Sequence, residues 1–381
     1  MLLLLNSAST VLLVPILVLL VAAVLFWLLP GAARRGLLFG VHVGTRRTDD
    51  PAVTGLLTTW RVSIGVLTLA AVAAWLLVGP KNALAITAAE AVLLLGVGVL
   101  YLVLHSRARR LAVPMATADE DAAEPTTSGE VPPEELPARW LMPYVLVALG
   151  LSLLLGLMAL GHAMAVEPKL PERIPTHFGT SGEPDAWSDK SFAAVYLLSC
   201  TCLGMALMLG GFALLTAQVQ GPRRLGDDGR SYRARRGFQA SVALMLANMS
   251  VMVSAMLAYF SWAGLRTALG EMQGLGAVPL IALAVILPYS MGHALWLIVK
   301  HGQGGAAKEG AAGDQPLVGG VADNEHWKLG VIYYNPEDPE LMVEKRFGVG
   351  YTFNFAHGGA IALMLGMVVF FVGVLVAAFT M

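Results

Sequence analysis

The residues whose types could do chemistry are concentrated in one polar stretch between two long apolar segments. Residues 166–191 read VEPKLPERIPTHFGTSGEPDAWSDKS. Between His177 and Lys190 this stretch contains three acidic residues and a tryptophan. Because proline restricts φ and glycine permits tight reversals, we predict a compact loop in this stretch. Such a loop would hold its polar side chains together as a binding surface for a peptide or a small ligand.

Six residues of this loop are candidates for ligand binding, since together they offer charge, hydrogen bonds and aromatic surface. They are His177, Phe178, Gly182, Asp185, Trp187 and Lys190. Structural roles are the alternative. Asp185, Ser188 or Asp189 could cap the following helix. Trp187 could belong to an interfacial aromatic belt, and the Lys190 ammonium could extend to water.

The motifs that mark catalysis or cofactor binding do not occur in the chain. A lone histidine with an aspartate eight residues away is not a zinc motif. HExxH, GxSxG and GxxxxGK[ST] do not occur. Cys200 and Cys202 lie in an apolar run and suggest no disulfide framework. We therefore predict no catalytic residues, no metal and no cofactor, and a role in recognition or in passage of a solute.

The composition is that of an integral membrane protein. Of 381 residues, 56% are hydrophobic and 13% are charged, and the mean hydropathy is +0.68, whereas soluble chains carry about 25% charged residues. The balance of 25 basic and 26 acidic residues argues against direct nucleic-acid binding. The lipid bilayer is therefore the first predicted partner.

Eight apolar runs are long enough to cross about 30 Å of hydrocarbon as helices. We predict an all-α polytopic membrane protein with about eight transmembrane helices, because lipid leaves few other ways to satisfy backbone polar groups. The runs are Val11 to Leu29, Val62 to Val78, Ala83 to Leu104, Leu141 to Ala163, Phe192 to Leu215, Phe238 to Trp262, Val278 to Val299 and Ala360 to Thr380.

The basic residues predict the orientation. Arg34 and Arg35 follow the first run instead of preceding it, which favours a retained span over a cleaved signal peptide. Of the 25 lysines and arginines, 20 fall in alternate loops, which we therefore assign to the cytoplasm. Both termini and loop 166–191 are then extracytoplasmic. The four cytoplasmic loops are 30–61, 105–140, 216–237 and 300–359.

Composition divides the chain into six parts. Two of them, an acidic Pro-rich segment and a Gly/Ala-rich segment, have the composition of linkers. In order, the parts are a three-helix membrane region (1–111), a cytoplasmic linker (112–138), a four-helix membrane region (139–300), a cytoplasmic tether (301–325), a cytoplasmic β-rich module (326–358) and a final transmembrane helix (359–381).

The β-rich module has the residue types of a small hairpin. Val331 to Tyr334 are β-branched or aromatic, turn residues follow from Asn335 to Pro339, and a second alternating run ends at Phe355. The FGV core in Gly36 to Arg47 is similar to that in Phe347 to Tyr351, which suggests that these segments pack together. The predicted partner-docking residues are Trp327, Tyr333, Asn335, Asp338, Lys345 and Asn354.

Three polar residues fall within predicted spans, namely Glu90, His162 and Asn248. Glu90 lies about 10 Å below the outer membrane edge if its helix begins at Ala83, where a carboxylate costs about 2.5 to 3.5 kcal/mol. His162 or Asn248 could be its partner; alternatively, Glu90 lies near the headgroups. Pro288 and His293 suggest a kinked seventh span, in which His293 is a satisfied core histidine or part of a polar patch.

The loop resembles the signature of the SdpI-like membrane proteins, the domain of unknown function 1648. The pattern LPxxIPxHFxxxGxPDxWxxK is matched at eleven positions: Leu170, Pro171, Ile174, Pro175, His177, Phe178, Gly182, Pro184, Asp185, Trp187 and Lys190. The family often has Asn where this chain has Gly179. The segment WKLGVIYYNPEDPELMVEKRFGVGYTFNF likewise resembles the domain of unknown function 5808.

These resemblances imply a bacterial cytoplasmic-membrane protein that senses, or gives immunity against, an extracellular peptide or envelope stress. They imply an external peptide ligand and a cytoplasmic regulator docked on the β-rich module. The alternative is a transporter, or a transporter accessory subunit, that uses the intramembrane polar residues. The absence of an obvious inverted repeat counts against transport.

Overall fold

The computed structural model describes residues 7–33, 36–44, 50–78, 83–113, 140–179, 181–218, 229–303 and 324–380. These residues form eight α-helices and four two-stranded antiparallel hairpins. In chain order the elements are α1 (Ser7–Ala32), β1 (Leu37–Leu38), β2 (Val41–His42), α2 (Pro51–Val78), α3 (Ala83–Ala108), α4 (Leu141–Val166), β3 (Arg173–Phe178), β4 (Pro184–Asp189), α5 (Phe192–Gln218), α6 (Gly229–Ala268), α7 (Val278–Lys300), β5 (Trp327–Lys328), β6 (Ile332–Tyr333), β7 (Met342–Glu344), β8 (Tyr351–Phe353) and α8 (Gly358–Phe379).

The helices confirm a polytopic membrane protein. Within the described residues, seven helices, α2 to α8, are long and apolar enough to cross a membrane. The apolar stretch found in α1, Val18–Gly31, is shorter. Many large apolar side chains on these helices face outward, and Ala360 is the buried residue of α8. Outward apolar surface of this kind is expected where the surrounding medium is lipid.

The chain divides into two compact units. The first comprises residues 1–135, 221–238 and 295–360, and the second comprises 136–220, 239–294 and 361–381. Most of the predicted linker 112–138 and of the predicted tether 301–325 lies outside the described residues.

In the second unit, α4 and α5 pack through small side chains. A Cβ atom at Gly156 would lie 2.7 Å from the side chain of Leu203, so α5 approaches α4 closely at this glycine. Close helix approach through small residues is typical of membrane bundles. The small buried residues include Ser152, Gly156, Ala159 and Ala163 on α4 and Ser199, Cys202, Ala206, Gly210 and Ala213 on α5.

In the first unit, aromatic side chains of α2 and α3 pack against the hairpin β1–β2 and the segment before α8. The Phe39 ring lies 5.5 Å from the Trp60 ring and 6.0 Å from the Phe347 ring, centroid to centroid. Phe347 in turn lies 4.6 Å from Tyr101. The two FGV segments therefore pack together as their similarity suggested.

Strand pairing is more extensive than the sequence predicted. The β structure before the last helix is confirmed, but it consists of two hairpins, β5–β6 and β7–β8, joined by a bridge between Tyr333 and Asn354. The hairpin β1–β2 was not predicted. The signature loop was predicted to be a loop with turns, and it contains the paired strands β3 and β4.

Candidate functional site

The signature segment folds into a hairpin, and one face of this hairpin packs against the ends of neighbouring helices. Strand β3 pairs with β4 from Arg173 opposite Asp189 to Phe178 opposite Pro184, with register shifts around His177. Prolines within both strands remove ladder donors, which explains an irregular register. Ile174 is 1% exposed and packs with Leu170, Ala163, Val195 and Leu265. One face of the hairpin is therefore fixed to the helix ends by apolar burial.

The two ends of the signature segment are tied together by hydrogen bonds. The Lys190 backbone N–H donates to the Glu172 carbonyl at 2.6 Å, and its Nζ donates to the Glu167 carbonyl at 2.6 Å. The Tyr196 hydroxyl donates to the Glu167 carboxylate at 2.8 Å. Lys190 therefore has a structural role, and its ammonium group would have to give up the hydrogen bond to Glu167 in order to bind a ligand.

The cap of α5 differs from the predicted alternatives. Ser191 Oγ accepts a hydrogen bond from the Ala194 N–H at 3.2 Å. Asp185, Ser188 and Asp189, the predicted caps, are strand residues of β4 instead. The prediction of the cap was therefore wrong, because strand pairing continues to the residue before Lys190 and leaves Ser191 at the helix start.

The tip of the hairpin is bonded to the loop between α6 and α7. The Leu275 N–H donates to the Gly182 carbonyl at 2.8 Å, and the Tyr259 hydroxyl donates to the Leu275 carbonyl at 3.0 Å. Gly182 has φ +81, and a Cβ atom there would lie 2.6 Å from the Gly276 carbonyl oxygen. Gly182 is therefore required by backbone packing, and its role in ligand binding would be indirect.

The opposite face of the hairpin presents polar and aromatic side chains. His177 Nδ1 contacts Asp185 Oδ1, so these two predicted residues meet, and their side chains are 70% and 52% exposed. Trp187 is 42% exposed. Phe178 is half-buried, with its ring beside Gly264. Position 179 lies beside the Asp185 carboxylate, since a Cβ atom at Gly179 would be 3.2 Å from Asp185 Oδ2.

Asn248 belongs to a hydrogen-bonded series across three helices of the second unit. Its Oδ1 accepts from the Tyr144 hydroxyl, and its Nδ2 donates to the Tyr289 oxygen at 2.6 Å. Tyr289 lies 3.2 Å from His293 Nδ1, and His293 Nε2 lies 3.1 Å from the Ser241 carbonyl. The carbonyl can only accept, so Nε2 carries the proton and Tyr289 donates to Nδ1.

The other two intramembrane candidates lie one in each unit, and within the second unit no hydrogen bond between described residues joins His162 to this series. Glu90 is half-buried on α3. Neither ring nitrogen of His162 has a hydrogen-bond partner in the described part of the chain. The pairing of Glu90 with His162 stays a prediction.

The predicted docking residues of the β-rich module are mostly turned inward. Tyr333 and Asn354 are fully buried and Trp327 is 6% exposed. Asn335, Asp338 and Lys345 are half-buried. Burial lowers the pKa of the Lys345 ammonium below its ordinary value. A partner would therefore meet other side chains of this module first.

Asn354 connects the turn 335–340 to the segment before α8 through side-chain hydrogen bonds. Its Nδ2 donates to the carbonyls of Asn335 at 2.8 Å and Asp338 at 3.1 Å, while its Oδ1 accepts from the Asn335 N–H at 3.0 Å. The Tyr333 hydroxyl donates to Asp338 Oδ2 at 2.8 Å, and His357 Nε2 donates to the Asp338 carbonyl at 2.9 Å. These residues hold the turn in one conformation.

The sequence interpretation missed Arg346. The residue is 1% exposed. Its guanidinium group donates to Asn324 Oδ1 at 2.8 Å and to the Gly40 carbonyl at 3.2 Å, and lies 5.3 Å from the centre of the Trp327 ring. Asn324 Oδ1 also accepts from the His42 N–H at 3.1 Å. Arginine between β7 and an aromatic run is a weak signal, because it is equally typical of a solvated turn.

Comparisons with known proteins agree with the two sequence patterns. A model described as a domain of unknown function, DUF1648, matches residues 153–201, which include β3–β4 and its flanking helix segments. A model described as a family of unknown function, DUF5808, matches residues 336–361, which include β7–β8. No curated protein and no solved structure matches the chain. The chain is thus a multi-pass membrane protein that carries a DUF1648 domain followed by a DUF5808 domain, in the order that the sequence predicted.

Proposed function

We propose that this protein is a sensing or immunity protein of a bacterial cytoplasmic membrane, in which the hairpin β3–β4 binds an extracellular peptide. The observation that carries the proposal is the exposed pair His177–Asp185 beside exposed Trp187 on a hairpin fixed along its other face. A fixed scaffold reduces the entropy lost when exposed groups bind a ligand.

The exposed face is chemically suited to an amphipathic peptide. Trp187 offers a large apolar surface at low conformational cost, and aromatic residues are frequent at binding hot spots. Asp185 offers a carboxylate for a basic group, which would have to compete with His177 for it. The basic-residue distribution predicts that this face is extracytoplasmic. The cytoplasmic regulator is proposed to meet the exposed residues around the DUF5808 domain.

Survival assays on cells that express the full chain would test the first proposal. Cells are challenged with a panel of amphipathic cationic peptides, and protection by Trp187→Ala and Asp185→Ala is compared with protection by the unaltered chain. The control is Glu172→Gln, which changes an exposed carboxylate on the same hairpin. The hydrogen bond from the Lys190 N–H is retained in this variant, because it is accepted by the backbone carbonyl of residue 172. We expect both test variants to lose protection and the control to retain it. Equal protection by all of them would refute the binding role.

A pathway for a proton or a small solute is the second candidate function. The series from Tyr144 through Asn248 and Tyr289 to His293 favours it, because every side chain after Tyr144 both accepts and donates a hydrogen bond. Polar groups inside membrane helices often belong to transport pathways. The absence of an obvious inverted repeat remains an argument against it.

Flux measurements on the protein in liposomes would test the second candidate. A pH-sensitive dye inside the vesicles reports proton entry after an external pH jump. Asn248→Leu should abolish any protein-dependent flux, since leucine neither donates nor accepts. Ser290→Ala is the control, because the Ser290 hydroxyl donates to carbonyls of its own helix. Equal flux for Asn248→Leu and the unaltered chain would exclude this pathway.

A further inference from the structure

Two similar hairpins of the first unit meet at their turns. In β1–β2, Phe39 and Gly40 have φ values of +45 and +75; in β5–β6, Leu329 and Gly330 have +54 and +69. Positive φ at both central residues is the signature of the tight turns that fit twisted hairpins. A Cβ atom at Gly40 would lie 2.4 Å from the Gly330 carbonyl oxygen, so the two turns contact each other through their backbones.

The depth of this contact relative to a membrane can be inferred from two neighbouring helix ends, the start of α2 and the end of α3. Along α3, large apolar side chains are exposed as far as Val103, and exposed polar residues start at Ser106. Along α2, the exposed residues Thr59 and Arg61 are followed by exposed Val62. The boundary between the apolar and polar surfaces therefore falls near Arg61 on α2 and between Val103 and Ser106 on α3.

The two turns contact both helices at this boundary. Tyr101, on the apolar side of the α3 boundary, donates its hydroxyl proton to the Leu329 carbonyl at 2.8 Å. Trp60, directly before Arg61, packs against Phe39. His105 Nδ1 donates to the Phe39 carbonyl at 2.8 Å. Tyrosine and tryptophan favour the interface between headgroups and acyl chains, which agrees with this level.

The outer surface of the β5–β6 turn and of β6 is mostly apolar. Leu329 is 53% exposed, Val331 37%, Ile332 41% and Tyr334 49%. Four neighbouring apolar side chains on a turn and its strand are unusual at a water-facing surface, and they continue the apolar surface of α3 at the level where Tyr101 binds Leu329.

We propose that the turn and outer strand of β5–β6, residues 329–334, form a lipid-binding wedge that inserts into the headgroup and acyl-chain boundary of one leaflet. The partner is phospholipid of that leaflet. Four exposed basic residues flank the elements that form this contact, and they would favour anionic headgroups. Lys328 lies in β5 directly before the turn, Arg107 lies in the last turn of α3, and Arg109 and Arg110 directly follow α3. The wedge lies before residues 336–361, the DUF5808 domain, and would keep that domain beside the membrane surface.

Depth-dependent fluorescence quenching of the full chain in vesicles would test the wedge. Cys200 and Cys202 are replaced by alanine, and an environment-sensitive label is placed on Ile332→Cys. The matched control is Glu337→Cys, an exposed position in the turn before β7. The vesicles contain phosphatidylcholine and phosphatidylglycerol, with nitroxide lipids labelled either near the headgroup or near the end of the acyl chain.

We expect the label at 332 to be quenched at least about twofold more than the label at 337 by the shallow nitroxide, because interfacial segments are buried roughly 5 to 10 Å into the headgroup region. The label at Val331→Cys should behave like that at 332, which guards against a local disturbance of pairing with Lys328. Vesicles of phosphatidylcholine alone separate apolar insertion from headgroup charge: weaker quenching there supports the contribution of the basic residues. The proposal would be overturned by equal quenching of the labels at 332 and 337. It would also be overturned if the label at 332 were not quenched because a second copy of the chain or another protein covers it.

Discussion

Two regions of this protein are built from the same residue types and use them in opposite ways. The hairpin β3–β4 and the β-rich module before α8 both combine Trp, His, Asp and turn residues. In the hairpin, His177, Asp185 and Trp187 are exposed. In the module, Trp327 and Asn354 are buried. The comparison teaches that a polar motif becomes available for binding only where no other segment covers it.

The physical reason is the way in which each region satisfies its backbone. The hairpin bonds its tip and ends through backbone groups and Lys190, which leaves the side chains of one face free of structural duties. The module has very short strands, so its turn depends on side chains such as Asn354 and Asp338 for hydrogen bonds. A buried polar side chain without its partners costs about 1 to 3 kcal/mol.

The largest expected effect is at the contact between the two turns. Gly40→Ala should destabilise the protein by roughly 3 kcal/mol, because the methyl group would overlap the Gly330 carbonyl and the residue would keep a positive φ. Thermal unfolding in detergent, followed by tryptophan fluorescence, would measure the change. Gly98→Ala is the control, since nothing lies within 4 Å of a Cβ atom there. Unchanged stability of Gly40→Ala would mean that the turns can separate freely.

Asn354→Ala should have the next largest effect. It removes the hydrogen bonds that hold the turn 335–340 and leaves the Asn335 N–H without its acceptor, at a cost of about 2 to 3 kcal/mol. The same unfolding assay applies, with Glu337→Ala at the exposed side of that turn as the control. If Asn354→Ala unfolds at the temperature of the unaltered chain, its role is not structural, and the contrast with the hairpin disappears.

Removal of the exposed pair should change stability little. His177→Ala should cost less than about 1 kcal/mol, since exposed ion pairs contribute at most about that much. Its effect should appear instead in protection against the peptide panel. A loss of stability as large as that of Asn354→Ala would place His177 among the structural residues and remove the basis of the comparison.

The smallest expected effect is a pH dependence in the first unit. Burial, and secondly the Arg346 guanidinium, lower the pKa of His42 below its ordinary value of 6.5. The unfolded chain then binds more protons just below pH 6.5, so the His42 contribution is complete above pH 6.5 and is lost as the pH falls. Unfolding temperatures measured from pH 7.5 to 5.5 should fall less steeply in His42→Gln than in the unaltered chain. Parallel curves would show that the pKa of His42 is the same in the folded and the unfolded chain.

Much of the fold could be predicted because lipid imposes simple rules. The helices appear where apolar runs are long enough to span the bilayer, and α3, α5 and α7 begin at the predicted residues Ala83, Phe192 and Val278. The two domain patterns were recognised because their prolines, glycines and aromatic residues occur at fixed spacing. The strands of β3–β4 were missed because Pro175 and Pro184 argue against regular pairing.

The candidate site was predicted only in part. The meeting of His177 and Asp185 followed from a short loop with few conformations. The similarity that mattered most in the first unit was overlooked: Phe39–Gly40–Val41 matches Leu329–Gly330–Val331 in turn geometry, whereas the sequence suggested Phe347 as its counterpart. Positive φ values cannot be recognised in a Phe–Gly or Leu–Gly pair without knowing the surrounding strands.

The sequence by itself determined that this chain is a helical membrane protein, where its helices lie, and which two short segments interrupt them with polar residues. These properties depend on local composition and on the thickness of the bilayer. Only the tertiary structure decided which polar residues are exposed, that Arg346 is enclosed beside Trp327, and that Tyr144, Asn248, Tyr289 and His293 form one series. Those properties depend on contacts between residues tens to hundreds of positions apart, and the pattern of any single segment contains no information about what covers it.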